Sequence, residues 1–575
     1  MNRIGIFLTQ RLPYRENQVF LTLTVLIGVL AGLSAVLFTL CIQLVQRFLF
    51  GAAPAHLRLF LVPPLVSLLT GYLLAKFFPE VRGSGVPQTE TAYHLHQGNI
   101  PARVPLGKFL TGVLCVGSGH SMGREGPSVQ IGAGIASLIG KWFRLSPSRV
   151  QNLVPIGAAA ALSAAFNTPV SAVLFALEEI IGDMNAALLG STVLASVSAV
   201  IIERSILGND ALFRVPAYHL ADPAELAGYA ILGILGGIVS VIFCKALLGL
   251  RLFFLRLPKK TEIFQPAMGG VLIGIILIFV PQVMGVGYEY VGQALSGSLA
   301  LGALIVLCLV KLVATVVSYS SGNAGGIFAP SLFLGAMAGG AVGTLMHRFA
   351  PFPTGDSGAY ALVGMGVLFA GIIRAPMTSV FMIFELTQDY QILVPLMVAN
   401  LLSFLISKHF QPKPIYHALL EQNHIYLPGP ESRLPASAWR ARDLMLCDVD
   451  FIPPTNTAEQ TWSFARNSAQ PGFLVGSKEL LHGVVTHDQI EKAIASGKGE
   501  TAILSLMTAE GWPHVHPDHP LDVVLERLGQ SAGILPVLSR HGFHKVEGVI
   551  TRESVLQVFD QSGSDSKMRA ANNLP

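Results

Sequence analysis

Long apolar runs are the feature that most restricts how this chain can fold. A membrane helix needs about 20 consecutive apolar residues, and runs of roughly this length or longer fill residues 19–48, 57–78, 149–166, 185–202, 225–255, 266–284, 298–319 and 391–408. With 52% hydrophobic and 13% charged residues, the composition is too apolar for a soluble protein of 575 residues. The sequence therefore predicts an all-α, polytopic membrane domain over residues 19–420. The first run is longer than the apolar part of a signal peptide, so we expect it to stay as a membrane helix.

A glycine-rich turn with one carboxylate lies between these runs, at residues 117–132 (GSGHSMGREGPSVQIG). Gly123 and Gly126 allow the backbone to turn sharply on either side of Glu125, and Pro127 suits the first turn of a helix. The free N–H groups at such a helix start attract anions. A carboxylate near bilayer depth is costly unless it has a partner or a function. We therefore expect Glu125 to be a functional residue.

Two further interrupted segments carry polar groups. Residues 83–88 (GSGVPQ) form a turn in which Ser84 offers a hydroxyl donor, although a plain loop with a capping serine explains this string equally well. A second segment begins an apolar helix at Pro169 and ends on the pair Glu178 and Glu179. This pair either marks the point where the helix reaches the cytosol or takes part in function.

The second half of the membrane domain repeats this pattern. Residues 326–335 align with 123–132, and residues 374–385 align with 167–178, at nearly one offset. Repeated broken-helix motifs are typical of transporters, whose substrate site lies between two inverted repeats near the midplane. We expect halves at about 19–256 and 262–420. Converging helix N-termini at the centre would favour an anion.

Basic residues predict the orientation in the membrane. Arg3, Arg11 and Arg15 place the N-terminal segment 1–18 in the cytosol by the positive-inside rule, as do the basic residues of the mid-chain loop 251–260. We expect a multi-pass protein of the cell (inner) membrane. The basic residues never cluster with interleaved aromatic residues, so nucleic-acid binding is not expected.

Several enzyme and metal classes are not supported by any motif. The sequence has no zinc-protease motif, nucleophile elbow or phosphate-binding loop, so we expect neither an intramembrane protease nor an ATP-driven pump. The histidines of residues 514–519 (HVHPDH) and of 94–96 lack a partner set with zinc spacing. The five cysteines imply no disulfide framework. The protein is therefore not expected to be an enzyme or to hold a metal.

The composition changes to that of a soluble α/β region after Pro412, and a second internal repeat begins. Residues 442–445 (RDLM) and 483–488 (GVVTHD) recur as 505–507 (SLM) and 548–553 (GVITRE). Each repeat is a module of roughly sixty residues. We expect a linker at 421–435, modules at 436–495 and 496–560, and a disordered tail at 561–575.

These motifs together resemble the CLC family of chloride channels and chloride/proton antiporters. The resemblance rests on residues 83–87 (GSGVP), 123–127 (GREGP), 326–330 (GIFAP) and 414–416 (PIY), in the family's order and spacing. It implies that Glu125 is the gate and that Glu179 transfers protons on the inner side. It also implies an anion site formed by Ser84, Gly123, Arg124, Glu125, Gly326, Ile327, Phe328 and Tyr416. The C-terminal repeat resembles a cytosolic pair of CBS modules.

The resemblance implies a homodimer in lipid that transports chloride and, as an antiporter, protons. Hydroxyl and amide donors can bind chloride weakly enough to release it. An ionised Glu125 competes with chloride for one position, and protonation removes it. The presence of both Glu125 and Glu179 favours the antiporter over a passive chloride channel, which needs no inner proton acceptor. A CBS-regulated transporter of another ion, such as magnesium, would need carboxylate-rich pore helices.

The chain departs from the family pattern at two places. Gln88 stands where the family usually has a glutamate, and we expect Glu90 and Lys108 to keep part of the local charge network. The CBS-like modules lack the aspartate that normally binds a ribose three residues after a threonine. Gln489 and Ser554 occupy these positions. An adenine nucleotide at the CBS pair is therefore not expected, and no other cofactor is implied.

Overall fold

The computed structural model describes residues 13–51, 55–183, 186–208, 213, 222–387, 389–427, 439–466, 472–507, 512–531, 533–540 and 545–557. The chain divides into two compact units, Met1–Leu427 and Pro428–Pro575. The first unit is helical, and the second contains strands and short helices. Residues 1–12 of the expected N-terminal segment, 428–435 of the expected linker and the expected tail 561–575 lie outside the described residues.

The first unit contains both long helices and short helical segments. Its first half contains α1 (Pro13–Phe50), α2 (His56–Lys76), α3 (Val86–His94), α4 (Arg103–Gly117), α5 (Glu125–Trp142), α6 (Pro147–Phe166), α7 (Pro169–Phe175), α8 (Ala186–Leu207) and α9 (Glu225–Arg256). Its second half contains α10 (Gln265–Phe279), α11 (Tyr288–Leu295), α12 (Leu301–Ser320), α13 (Phe328–Phe349), α14 (Ser357–Ile372), α15 (Pro376–Thr387), α16 (Leu393–Phe410) and α17 (Ile415–Glu421). Within the described residues, seven helical segments are long and apolar enough to cross a membrane.

Corresponding helix pairs in the two halves pack at close range for the same reason. Gly132 of α5 lies against the backbone of Gly157 in α6, and a side chain at either position would collide with a carbonyl oxygen. Gly335 of α13 and Gly364 of α14 make the same close approach in the second half. Small residues at a helix interface let backbones come close inside a membrane. The glycines therefore lock one helix hairpin in each half.

The helix boundaries differ from the apolar runs at two places. Helix α1 begins at Pro13 rather than near residue 19, because polar residues continue the helix before the apolar run starts. Helix α13 is one continuous helix, although its many glycines and alanines make it less apolar than most of the other membrane-length helices. Most of α13 is buried inside the protein, where small residues are needed for packing rather than for contact with lipid.

The second unit contains two β-hairpins, one in each part of the internal repeat. Strands β1 (Phe451–Ile452), β2 (Gly472–Gly476) and β3 (Leu481–Thr486) form one sheet, in which β1 and β2 are parallel and β2 and β3 antiparallel. Strands β4 (Ile534–Leu538) and β5 (Val546–Thr551) form an antiparallel pair. The short helices are α18 (Ala441–Leu444), α19 (Ala458–Ala465), α20 (His487–Ala495), α21 (Ile503–Leu506) and α22 (Leu521–Gln530). The hairpins at 472–486 and 534–551 lie at corresponding places in the two parts of the repeat, which is consistent with the predicted α/β modules.

The histidine string at 514–519 packs within this second unit. His516 makes a hydrogen bond through Nδ1 to the carbonyl oxygen of Leu538, and its ring lies against those of His514 and His519. Arg540 donates two hydrogen bonds of 2.8 Å to Asp518. This guanidinium lowers the pKa of the Asp518 carboxyl to about 2. The polar groups of this string therefore bind to the protein's own residues.

Candidate anion and proton site

Two glycine-rich loops from opposite halves of the first unit pair with each other through their backbones. Gly123 donates a hydrogen bond of 2.8 Å to the carbonyl of Gly326, and Gly326 donates one of the same length to Gly123. Gly83 pairs with Ala324 in a second isolated bridge. The motifs at 83–88, 123–127 and 326–330, which are far apart in sequence, therefore meet at one place inside the protein.

Three helices begin at this junction. Helices α3, α5 and α13 start at Val86, Glu125 and Phe328, so Glu125 is the first residue of its helix. Each helix carries a proline in its first turn, at Pro87, Pro127 and Pro330, where a missing N–H costs nothing because no intrahelical acceptor exists there. The remaining first-turn N–H groups point toward the junction. The backbone alone thus concentrates partial positive charge at the junction.

The hydroxyl groups of Ser84 and Tyr416 lie close to each other at the junction. Both residues are fully buried, and the two oxygens are near enough to interact. Neither oxygen has a hydrogen-bond partner of good geometry in the described parts of the chain. A Cβ on Gly126 would collide with Ser84 Oγ, which places this hydroxyl beside the start of α5. Buried, unpaired donors of this kind are ready to bind an anion.

The residues at the start of α13 contribute backbone donors and an aromatic wall. Ile327 and Phe328 are fully buried, and Ile327 is the residue immediately before the helix. The ring of Phe328 packs against those of Phe166, Phe175 and Phe369, with centroid distances of 5.6, 5.1 and 4.6 Å. This cluster fixes the position of Phe328, and therefore of the N–H groups beside it.

The carboxylate of Glu125 is fully buried and only partly satisfied. Its Oε1 accepts a hydrogen bond of 2.6 Å from the phenol of Tyr288 and lies 3.9 Å from Nε of Arg124. Its Oε2 has no hydrogen-bond partner within the described residues and lies next to Gly123. Arg124 also donates to the carbonyl of Ala165. Glu125 thus occupies the junction itself, where an anion would otherwise be stabilised.

Glu178 and Glu179 lie in a π-helical turn, Ala176–Ile181, that follows α7. Single π-helical turns of this kind are frequent at functional sites. Glu178 accepts hydrogen bonds from the N–H and hydroxyl of Thr378 in the other half. Glu179 Oε1 is buried with no hydrogen-bond partner in the part of the chain that is described. The two glutamates therefore have different surroundings: Glu178 is bound to the other half, whereas Glu179 Oε1 makes no hydrogen bond within the described residues.

A second buried carboxylate, that of Glu90, lies near Glu179. Glu90 is fully buried, and it interacts electrostatically with Glu179 and with Tyr416. The expected charge network between Glu90 and Lys108 is not observed. The Lys108 amine instead donates to the carbonyls of Val81 and Gly83. Lys108 therefore stabilises the backbone of the 83–88 loop rather than the carboxylate.

Gln88 explains how this loop tolerates the absence of the family's glutamate. Its Oε1 accepts a hydrogen bond from the N–H of Gly85, and its Nε2 donates to the carbonyl of Arg82. A glutamate could make the first of these bonds but not the second, since an ionised carboxylate has no donor. The Gln88 side chain thus binds the backbone on both sides of Ser84, at Arg82 and at Gly85, and keeps Ser84 in place.

A cavity of about 820 Å³ lies beside the same loop. Its wall includes Gly83, Gln88 and Tyr319, the two cations Arg82 and Arg251, and the two carboxylates Glu80 and Glu262, of which Glu262 lies 3.5 Å from Arg82. Arg251 donates to the side-chain oxygens of Gln422 and Asn423, which are neutral, so its charge is not cancelled there. From the sequence, Arg251 was used only to predict the orientation in the membrane, and Arg82 was not singled out, because the segments that carry them join only in the folded chain.

Comparisons with known proteins give one consistent result. A family model described as "Voltage gated chloride channel" matches residues 65–408. The chain is 32% identical over 420 residues to the "H(+)/Cl(-) exchange transporter ClcA" of Vibrio cholerae serotype O1 (strain M66-2), covering 70% of this chain and 89% of that protein. It is also 32% identical over 417 residues to the protein of the same name from Yersinia pestis bv. Antiqua (strain Angola), covering 70% and 87%.

Solved structures match the fold of the described helices. The structure of a slow cyanobacterial Cl⁻/H⁺ antiporter has a TM-score of 0.65 and 29% identity, covering 70% of this chain and 97% of that chain. The structure of a eukaryotic CLC transporter has a TM-score of 0.62 and 20% identity, covering 93% of this chain and 97% of that chain. The second match extends beyond the membrane unit into the C-terminal unit and concerns the fold alone.

Proposed function

Because this chain belongs to the voltage-gated chloride channel family, we propose that it exchanges chloride for protons across a membrane. The observation that carries this function is the buried Glu125 carboxylate at the junction of three helix starts. A proton acceptor and an anion site occupy the same place there. Relatives of this chain are named as chloride/proton exchangers, which supports the same activity here.

Chloride binds between the hydroxyls of Ser84 and Tyr416 and the N–H groups of Ile327 and Phe328. The support for this assignment is that both hydroxyls are buried without a partner of good geometry among the described residues. Neutral donors replace part of the ion's hydration shell but hold it weakly enough to let it leave. The paired backbones of Gly123 and Gly326 hold the loops of this site together, and Arg124 adds positive charge beside them.

Proton coupling follows from the competition between Glu125 and chloride. An ionised Glu125 is itself an anion and occupies a chloride position. When it is protonated, it loses its charge and leaves that position to chloride. Each cycle of leaving and returning therefore exchanges a proton for chloride, and neither ion passes freely.

Glu179 supplies protons from the other side by a separate route. Its buried, unpaired Oε1 and its proximity to Tyr416 and Glu90 support this role. Chloride would approach the site through the cavity beside the 83–88 loop, where Arg251 keeps an uncancelled positive charge. The two ions thus use separate routes in this proposal.

The remaining features follow the family pattern. The membrane unit consists of two inverted repeats, as the matching glycine pairs of α5 with α6 and α13 with α14 support. The protein lies in the cell (inner) membrane as a homodimer in lipid, with its N-terminus and its C-terminal unit in the cytosol. Exposed apolar side chains on α8 and α16, such as Ile201 and Leu401, suit contact with lipid or with a second copy. The C-terminal unit is a regulatory pair of CBS modules.

Reconstitution in liposomes tests this function. An inward chloride gradient should drive protons against their own gradient with the unaltered protein. Glu125→Gln should pass chloride without moving protons, because an amide cannot exchange a proton for a chloride position. Proton movement that survives in the Gln variant would contradict the assigned role of Glu125.

A further inference from the structure

Tyr288 contacts the gate in a way that the exchange mechanism does not require. We propose that Tyr288 is a latch that holds Glu125 in the closed position and slows its release, so that it sets the turnover rate of the exchanger. This inference rests on the proposed role of Glu125 as the gate. Tyr288 acts through Glu125 and is therefore a positioning residue.

The hydrogen bond between these residues is of a strong kind. The phenol of Tyr288 donates to Glu125 Oε1 at 2.6 Å. Bonds from a hydroxyl to an ionised carboxylate are typically 2.5–2.7 Å long and about twice as strong as neutral ones. Of the charged groups nearby, Arg124 lies 3.9 Å from the carboxylate and Lys311 interacts with it electrostatically. Of the contacts described here, the hydrogen bond from Tyr288 is thus the shortest one to the Glu125 carboxylate.

The loop that precedes Tyr288 is held in a fixed conformation. Gly285 and Gly287 have positive φ angles of 58° and 80°, which fix the turn before α11. The Lys311 amine donates to the carbonyls of Val283 and Gly285, at 3.1 and 2.7 Å. The phenol therefore cannot easily follow Glu125 when the carboxylate leaves, and the hydrogen bond must break.

The ring of Tyr288 is also fixed by its neighbours. The Phe213 ring meets it edge-on with a centroid distance of 5.3 Å, and the Arg124 guanidinium lies over it at 5.7 Å. These contacts involve the ring and not the hydroxyl. Removing the hydroxyl alone therefore leaves the packing in place, which makes Tyr288→Phe a clean substitution.

The loop before Tyr288 is held by a buried lysine in the same way as the loop of the anion site. In the first half, Lys108 holds the carbonyls of Val81 and Gly83, just before Ser84. In the second half, Lys311 holds the carbonyls of the corresponding segment just before Tyr288. One loop thus presents a hydroxyl to the anion, and its counterpart presents a hydroxyl to the gate.

Turnover of Tyr288→Phe in liposomes tests the latch. We expect chloride turnover to rise by roughly ten-fold or more, the factor for one hydrogen bond to a carboxylate, while the proton-to-chloride ratio stays that of the unaltered protein. Tyr290→Phe, on the same helix but interacting with Glu289 rather than the gate, should not change turnover. An unchanged or lower turnover in a monodisperse Tyr288→Phe protein would overturn the latch.

A double substitution separates the latch from a general effect on structure. With Glu125→Ala in place, Tyr288→Phe should have no further effect on chloride flux, since the latch has nothing to hold. An equal increase in both backgrounds would overturn the proposal. If the unaltered protein does not couple chloride to protons, the proposed function fails instead, whatever the result for Tyr288.

Discussion

Glu178 and Glu385 form reciprocal helix caps: each lies in one half of the membrane unit and binds the N-terminus of a helix in the other half. Glu178, after α7, accepts hydrogen bonds at the start of α15, and Glu385, on α15, accepts hydrogen bonds at the start of α7. Each carboxylate binds two N–H groups and one hydroxyl, from Met377 and Thr378 on one side and from Val170 and Ser171 on the other. Carboxylates stabilise helix N-termini. The two halves are therefore fastened by a reciprocal pair of caps.

We predict that Glu178→Gln and Glu385→Gln destabilise the protein by a similar amount. An amide has one acceptor oxygen and no charge, so each variant weakens the cap and should lose about 1–3 kcal/mol. Thermal unfolding in detergent should show a comparable decrease in midpoint for both variants. A decrease for one variant only would show that the two caps are not equivalent.

We predict that Glu179→Gln uncouples protons from chloride. Its buried oxygen makes no hydrogen bond to another described residue, so the substitution removes a proton acceptor without breaking a cap. Chloride flux should persist in liposomes while chloride-driven proton uptake is lost. Glu178→Gln is the matched control, because its carboxylate is occupied by Thr378. Equal loss of coupling in both variants would mean that the pair has been assigned wrongly.

Ser84→Ala should weaken the selection of chloride over nitrate. The variant removes one donor to the anion, and chloride loses more than nitrate because it is more strongly hydrated and depends more on protein donors. Chloride affinity should fall by roughly ten-fold. Competition between the two anions in flux measurements checks this. Alanine keeps the backbone N–H of residue 84, which a proline would remove, and the Ser84 backbone interacts with Tyr319. An unchanged nitrate-to-chloride ratio would remove Ser84 from the site.

Adenine nucleotides should bind weakly or not at all to the C-terminal unit. Thr486 and Gln489 hydrogen-bond to each other's backbone as a capping box at α20, and Thr551 and Ser554 do the same after β5. The side chains at the two positions where CBS modules usually carry the ribose-binding aspartate therefore bind their own chain. Calorimetry on the whole protein should detect no binding in the micromolar range. Tight binding of ATP, ADP or AMP would make this unit a nucleotide sensor.

The sequence identified the local elements of the site but not their partners. Glycine, proline and hydroxyl residues that occur together indicate sharp turns and helix starts, so the motifs at Ser84, Glu125 and Phe328 could be recognised directly. The contact of Tyr288 with Glu125 and that of Glu178 with Thr378 join residues from opposite halves. Such pairings depend on the packing of the whole membrane unit. Aligning residues 285–288 with 83–86 would have suggested a second glycine turn, but not that it reaches the gate.

The continuous helix α13 was not predicted for a related reason. Its glycines and alanines lower the apolar character of the segment, yet Gly335 is there because the backbone of Gly364 comes too close for any side chain. Burial inside the protein, rather than contact with lipid, determined the composition of this helix. A pattern of apolar residues alone cannot distinguish the two situations.

The most direct test of the central claim is the reversal potential of the reconstituted protein under a pH gradient at fixed chloride concentrations. If Glu125 exchanges protons for chloride, the reversal potential should shift with the pH gradient in the unaltered protein. In Glu125→Gln it should stay at the chloride equilibrium potential. A reversal potential of the unaltered protein that follows chloride alone and ignores the pH gradient would contradict the account and indicate a passive chloride channel.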